Sequence, residues 1–474
     1  MENAVELSRW QFWLLIALSG YAVLHLFILP IMQRLIYYRT QSTEKLLNKT
    51  LDFGLPSYAM ANRQLWVDRI VNDSEVQAAI QQASKGNLPD TNAAARARKY
   101  ATEIVPTFNV LFYFRVGFWL ARKALRMFYW IEIALANQEQ YKQIDTNSCV
   151  ILVSNHRSNF DPLLLIYLTS KTAPISYSAG EWALIVPFRQ ILHAIGFSII
   201  RRNDTNNLLY KKILERYVFL ATQNCIPQGL FIEGELSRDG RMQPLKLGML
   251  NYVVKAYDKG NCSDIVFVPC GLNYDRVPED KTLIKHQDNG FRDKGPLYSL
   301  LSFLKFAATF SSYIIPRKHK PYGYACVNFG KPLSLKQWQL ENQTDISLLD
   351  KDGSREFIGS LGEDIASSIQ QLIPVLPTSL LATVLLDNFP EPMTELELKS
   401  QSTMLIKRLE SANAYIALPT NDGDNALSQG IYILLRRNII CPTGDGRFCI
   451  VDGNRRFLDY YSRTVSHHLN APID

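Results

Sequence analysis

Several features that would point elsewhere are missing. The seven cysteines are odd in number and contain no C-x-x-C pair, so neither a zinc module nor a disulfide framework organises the chain. Cys149, Cys262, Cys270 and Cys326 lie in or beside apolar strand-like runs and read as small core residues in a reducing compartment. H-E-x-x-H is absent, and no metal site is expected. G-x-S-x-G is absent too: the nearest stretch, Ile358-Gly359-Ser360-Leu361-Gly362, lacks the first glycine, which removes the serine-nucleophile elbow. A large excess of charge of one sign is missing. Lysine plus arginine number 51 against 44 acidic residues, a net +7. That excess suits a surface facing anionic lipid or phosphate and is too small to indicate nucleic acid.

What is present begins with an apolar run. Trp10 to Met32 holds no formal charge, and as a helix it would extend roughly 34 Å, enough to cross a bilayer core. Glu2 and Glu6 spoil a signal-peptide n-region, and no small-residue cleavage site follows. Arg9 precedes the run, while Arg34, Arg39, Lys45 and Lys49 follow it, which places the rest of the chain on the cytoplasmic side. A helix lying in the interface is the alternative, and both readings anchor the protein. Residues 41–145 read as a helical region, within which 108–133 forms a basic amphipathic helix. Arg115, Trp119, Arg122, Lys123 and Arg126 share one face, with Leu120, Ala124, Phe128 and Ile131 opposite. That helix suits the headgroup layer, or packs its apolar side on the core, or does both.

At 474 residues two or three domains are expected, and a 47% hydrophobic content supports packed cores. From 146 to 335 short apolar runs alternate with longer helical patterns. Strands are expected at Cys149–Val153, Ile175–Ser178, Phe197–Ile200, Leu230–Ile232, Ile265–Leu272 and Tyr324–Phe329. Helices are expected at Pro162–Thr169, Trp182–Ile195, Asn206–Thr222 and Lys246–Tyr257. The alternation predicts an α/β domain: a mixed, largely parallel sheet flanked by helices. Lys336–Glu356 reads as a boundary loop, and 336–474 as a helical C-terminal region. In that region Thr394 and Glu397 have capping-box spacing. Phe448 to Asn454, after a helix at Leu427–Arg437, reads as a hairpin turning at Asp452-Gly453.

Seven residues organise the chain: Asn155-His156-Arg157-Ser158-Asn159-Phe160-Asp161. They lie between the strand Cys149–Val153 and a helix with proline in its first turn, where α/β proteins expose side chains on a rigid frame. His156 can take a proton from an alcohol, and Asp161 can fix its tautomer and stabilise the imidazolium. A helix cap for Asp161 and an ordinary polar turn for His156 are the bland alternatives.

The stretch resembles the first motif, His-x4-Asp, of the glycerolipid acyltransferase superfamily, and three further stretches follow in that family's order. Gly196 to Arg202 resembles the second motif, Phe231 to Arg241 the third, and Val268 to Glu279 the fourth. The resemblance implies an acyltransferase that uses acyl-CoA or acyl-carrier protein as co-substrate, with no other cofactor. It implies His156 as base, Asp161 as its orienter, and Arg157, Ser158, Arg201, Arg202, Glu233, Gly234, Ser237 and Arg238 at the substrate. Of the adjacent Arg201-Arg202 on a continuing strand, one would bind phosphate while the other makes a structural ion pair. The fourth motif would be structural, with Val268-Pro269 beside the acyl chain.

Arg157 after the histidine, the double arginine, and Tyr274-Asp275 with Glu279 resemble the glycerol-3-phosphate and dihydroxyacetone-phosphate branch. Asn155 is more typical of the lysophosphatidate branch. After Glu233-Gly234 the family usually has a small residue and then arginine; here stand Glu235 and Leu236. The expectation is a membrane-bound enzyme that acylates the first-position hydroxyl of glycerol 3-phosphate for phospholipid synthesis. The alternatives are the same chemistry on lysophosphatidate or dihydroxyacetone phosphate, and a non-catalytic lipid-binding scaffold.

Overall fold

The structure is a computed structural model that describes residues 63–85, 92–107, 113, 117–135, 138–169, 175–180, 184, 188–201, 204, 207–257, 262–289, 320–419 and 422–469. Its strands are β1 (Trp130–Leu135), β2 (Cys149–Ser154), β3 (Ser178–Ala179), β4 (Ser198–Ile199), β5 (Gln228–Phe231), β6 (Ile265–Tyr274), β7 (Tyr324–Phe329), β8 (Leu333–Ser334), β9 (Ile440–Pro442) and β10 (Phe448–Ile450). The main sheet runs β1-β7-β6-β2-β5, with β8 paired to β6. Pairs β1–β7, β2–β5 and β2–β6 are parallel, while β6–β7 and β6–β8 are antiparallel. The mixed, largely parallel sheet is as expected.

Side-chain alternation on β2 sorts the two faces. Cys149, Ile151 and Val153 enter one core, together with Val67, Val76, Ala97, Ile213 and Ile365 from flanking helices. Leu152 enters the other, with Leu125, Leu164, Leu380 and Leu458. The first core shows what residues 63–104 do. Their helices Arg63–Val71, Ser74–Lys85 and Ala93–Ile104 cover the helix Leu208–Gln223 on one face of the sheet.

The C-terminal region is centred on the helix Pro377–Asp387, whose residues Pro377 through Leu385 are all buried, as an element surrounded on every side must be. Helices Glu395–Ser411, Gly423–Arg436 and Arg455–Arg463 pack around it. The capping box is present, with Thr394 Oγ1 accepting from Glu397 N and Glu397 Oε2 accepting from Thr394 N. The region is joined to the sheet through Asp275, whose carboxylate accepts from Tyr324 N and Thr378 N, each at 2.8 Å.

Several boundaries differ from expectation. Within the amphipathic segment Phe118–Phe128 is an α-helix; Tyr129 is extended, and Trp130–Leu135 forms edge strand β1, so the catalytic sheet begins before residue 146. β-branched and aromatic residues at 130, 131 and 133 favour that pleated, half-buried edge. β3 and β4 form a separate parallel pair, and the expected strand Ile175–Ser178 meets the main sheet through a parallel bridge from Ser176 to Gln228 of β5. Within 336–356, helices Leu335–Glu341 and Lys351–Leu372 leave little loop, and Asp350 caps the second by accepting from Gly353 N. The hairpin turns seven residues early, at Asp445-Gly446 between β9 and β10, with Gly446 at positive φ; Asp452-Gly453 leads into the next helix. Cys262, expected as a core thiol, is disulfide-bonded to Cys225 across a Cα–Cα distance of 5.8 Å. Both lie at element ends near the surface rather than inside the sheet. Cys149, Cys270 and Cys326 are buried and free. Residues 10–32 lie outside the described residues, among which no helix is long and apolar enough to cross a membrane.

Gly271 in β6 tests the docking of sheet on helix. A Cβ there would stand 2.3 Å from the Leu372 carbonyl carbon and oxygen, backbone that cannot swing aside. Gly271→Ala is expected to lower unfolding free energy by about 3 kcal/mol, measured as a shifted urea midpoint at unchanged slope.

Candidate active site

β2 ends at Ser154, and the chain turns sharply before the helix Asp161–Thr169. The carboxylate of Asp161, itself wholly buried, makes that turn. Its Oδ2 accepts from Arg157 N at 2.7 Å and Ser158 N at 3.0 Å, and lies 2.9 Å from His156 Nδ1. Its Oδ1 accepts from the Tyr274 hydroxyl at 2.7 Å. A helix cap would accept from amides further along the helix; these amides lie before it, so Asp161 shapes the turn and the imidazole. The His156 ring stacks on Phe231, centroids 4.0 Å apart and planes 15° from parallel. With Nδ1–H donating to Asp161, Nε2 is the basic nitrogen, and it has no hydrogen-bond partner among the described residues.

The end of β5 completes the frame. Glu233 Oε1 accepts from His156 N at 2.7 Å and its Oε2 from Gln243 N at 2.6 Å. Burial raises the pKa of this carboxyl, and nearby Arg157 opposes that rise. Gly234 has φ +66°, and a Cβ there would meet Lys246 Cδ at 2.9 Å. Ser237 N donates to the His156 carbonyl at 2.9 Å, while its hydroxyl donates to Arg241 O at 2.6 Å and accepts from Gly240 N at 3.1 Å. Glu233 and Ser237 thus lock the third motif against the first. Asn155 joins the core of the sheet, exchanging bonds with Leu272 N and O.

The arginines do not form one cluster. Arg157 is buried to 1% exposure, and its Nη1 donates to Ser237 Oγ and Gly240 O. It holds the third-motif loop from within. Arg201 donates in bidentate fashion to Glu103, Nε–Oε2 2.7 Å and Nη2–Oε1 3.0 Å, with Tyr100 beneath its guanidinium. It is therefore the ion-paired member of the double arginine. Arg202 lies outside the described residues. Arg238 is 38% exposed and pairs with Glu235 at 3.0 Å; Lys246 pairs with the same carboxylate. Ser158 directs its hydroxyl to Glu279 Oε2 at 2.9 Å.

Two site residues, Tyr274 and Glu279, were absent from the expected set. Burial and the Asp161 charge hold the Tyr274 phenol well above its ordinary pKa, so it remains a donor. Glu279 Oε1 accepts from Asn159 N at 3.2 Å and Nδ2 at 3.1 Å, clasping the turn beside Ser158. Both stand in the fourth motif, whose signal was legible although their contacts were not; Val268, expected beside an acyl chain, is a core residue. Among the described residues no group of three or more His, Cys, Asp or Glu is arranged to hold a metal. Tyr274→Phe leaves a buried carboxylate oxygen short of its donor and is expected to cost about 2 kcal/mol of stability, measured by chemical denaturation.

The acyltransferase family profile matches residues 133–273, and the glycerol-3-phosphate acyltransferase C-terminal region matches 308–472. Glycerol-3-phosphate acyltransferase of Pseudomonas putida is 26% identical over 87% of this chain and 50% of its own. For that of P. putida strain GB-1 the figures are 27%, 84% and 47%. That of P. fluorescens strain SBW25 gives 25%, 87% and 49%. The chain spans about half the length of these curated relatives. Among solved structures, the 1-acyl-sn-glycerophosphate (LPA) acyltransferase PlsC from Thermotoga maritima covers 65% of this chain and 97% of its own. At 13% identity and a TM-score of 0.29 that likeness is too loose to bear on the fold. On these matches, residues 133–273 carry an acyltransferase domain, and most of the chain is similar to glycerol-3-phosphate acyltransferases.

Proposed function

We propose that the protein transfers a fatty acyl group from a thioester donor, acyl-CoA or acyl-carrier protein, to the first-position hydroxyl of glycerol 3-phosphate. The observation that carries this reading is the His156–Asp161 pair, with Nδ1 tied at 2.9 Å and Nε2 unpartnered among the described residues. Nε2 takes the hydroxyl proton as the oxygen attacks the thioester carbonyl. The tetrahedral intermediate then collapses by breaking the C–S bond, and the imidazolium returns the proton to the departing thiolate. Asp161 stabilises the imidazolium between the two transfers. The thioester is already activated, so the reaction calls for neither an enzyme nucleophile nor a cofactor.

Phosphate recognition falls to the more accessible cations. Arg238, paired with Glu235 on a partly exposed surface, can exchange that carboxylate for a phosphate fork, and Arg202 is the further candidate. Arg157 and Ser158 serve the acceptor indirectly, through the loop and the turn they hold.

The protein works at a membrane, with residues 10–32 as anchor and the catalytic domain on the cytoplasmic side. Support comes from the helix Phe118–Phe128, which buries Ala121, Leu125 and Phe128 and exposes Trp119, Arg122, Lys123 and Arg126. That stripe suits anionic headgroups.

Two measurements test this. Isolated membranes supplied with either thioester donor and labelled glycerol 3-phosphate, dihydroxyacetone phosphate or lysophosphatidate are expected to acylate glycerol 3-phosphate. His156→Ala should abolish turnover while the protein stays folded. Arg238→Ala should raise KM for glycerol 3-phosphate about tenfold with little change in kcat. Transfer to lysophosphatidate alone, or no transfer, contradicts the reading. For the stripe, replacing Arg122, Lys123 and Arg126 together with glutamine should weaken binding of the purified protein to phosphatidylserine-containing vesicles, by about 3 kcal/mol at low salt.

A further inference from the structure

Nothing in the sequence of residues 423–469 carries a motif, yet their side chains reach the back of the fourth motif. Arg437 Nη1 stands 2.5 Å from Asp280 Oδ2, with the two side chains 4% and 2% exposed. The Tyr461 hydroxyl donates to the same Asp280 oxygen at 2.5 Å and accepts from Val277 N at 3.1 Å and Arg437 Nη1 at 3.3 Å. Phe457 lies under the guanidinium, 4.9 Å from it. The segment 277–280 is thus gripped at both ends by the C-terminal helices. Between those ends lies Glu279, whose carboxylate holds Ser158 and Asn159. The same C-terminal helix meets the third-motif loop, where a Cβ on Gly240 would stand 1.9 Å from Tyr460 O.

We infer that Arg437 and Tyr461 are positioning residues for acyl transfer, acting through Asp280 and Glu279 to hold the turn that aims His156. A buried ion pair is a poor way to add stability, because desolvating both charges offsets most of the attraction. This one is not even complete: Arg437 Nε and Nη2 are buried without partners among the described residues. What such a pair supplies is direction. It fixes one orientation of Asp280 where an apolar contact would allow several, and Glu279 is the adjacent residue. The inference rests on the proposed role of His156 and assigns the C-terminal region a part in the chemistry.

The test uses the full chain and compares Tyr461→Phe, Arg437→Gln and Leu409→Ala. Leu409 is buried in the same C-terminal region, on a helix that packs on Pro377–Asp387, so its truncation gauges loss of stability. Well below the melting temperature of each folded variant, Tyr461→Phe is expected to lower kcat about tenfold, as small misplacement of a reacting group does, with KM for the acceptor within twofold. Leu409→Ala should leave kcat unchanged. Tyr461→Phe combined with Glu279→Gln should lose less than the product of the single losses, because both act on one turn. Amide hydrogen exchange over residues 155–161 gives a readout independent of turnover, and it should accelerate in Tyr461→Phe and not in Leu409→Ala. If Arg437→Gln does not fold, Tyr461→Phe decides alone. Unchanged kcat and exchange in Tyr461→Phe, losses matched by Leu409→Ala, or full multiplicativity with Glu279→Gln would each overturn the inference. A wild-type protein inactive on every acceptor would count against the proposed reaction, while the exchange data would still decide whether the C-terminal helices hold the turn.

Discussion

The site depends on one buried carboxylate. Asp161 satisfies the amides of Arg157 and Ser158, takes the hydroxyl of Tyr274, and fixes Nδ1 of His156. Those contacts come from three sources: the turn itself, a residue 113 positions later in β6, and the side chain it orients. A carboxylate with no access to water survives only when its oxygens are this well satisfied. The fold supplies that by bringing β2, β5 and β6 side by side with their carboxyl ends together, where open α/β sheets gather their chemistry.

The local part of this was legible in the sequence. Histidine and aspartate five positions apart, between an apolar run and a helix opening on proline, are a short-range pattern that a single turn can satisfy. The third motif was legible for the same reason, since Glu233, Gly234 and Ser237 follow directly on a strand. Long-range partners were not. Nothing near Arg201 indicates that its guanidinium lies on Glu103, 98 residues earlier, and nothing near Ser158 indicates Glu279, 121 residues later. The arginines show the cost of reading charge without packing. Four were expected at the substrate, with one of the adjacent pair in an ion pair; burial gives Arg157 to the third-motif loop, Arg201 is the ion-paired one, and Arg238 rests on Glu235 at a partly exposed surface.

Element boundaries slipped where two patterns share residues. Trp130 to Ile133 continue the amphipathic helix before them in hydrophobicity, but their aromatic and β-branched side chains favour the sheet edge they occupy. Asp452-Gly453 and Asp445-Gly446 are equally good turn signals, and the pairing of Cys441 with Cys449 selects the earlier one. The helical C-terminal region was expected, but its contact with the fourth motif was not, because Arg437 and Tyr461 reach Asp280 only after the helices around Pro377–Asp387 have assembled.

The central claim is that Asp161 holds His156 with Nδ1 protonated and Nε2 free to accept a proton. Nitrogen-15 NMR of the protein labelled at histidine reads that directly, with His156→Ala used to assign the signal. For the neutral ring, the account predicts a proton on Nδ1 and the chemical shift of an unprotonated ring nitrogen for Nε2. A neutral ring carrying its proton on Nε2 would contradict it.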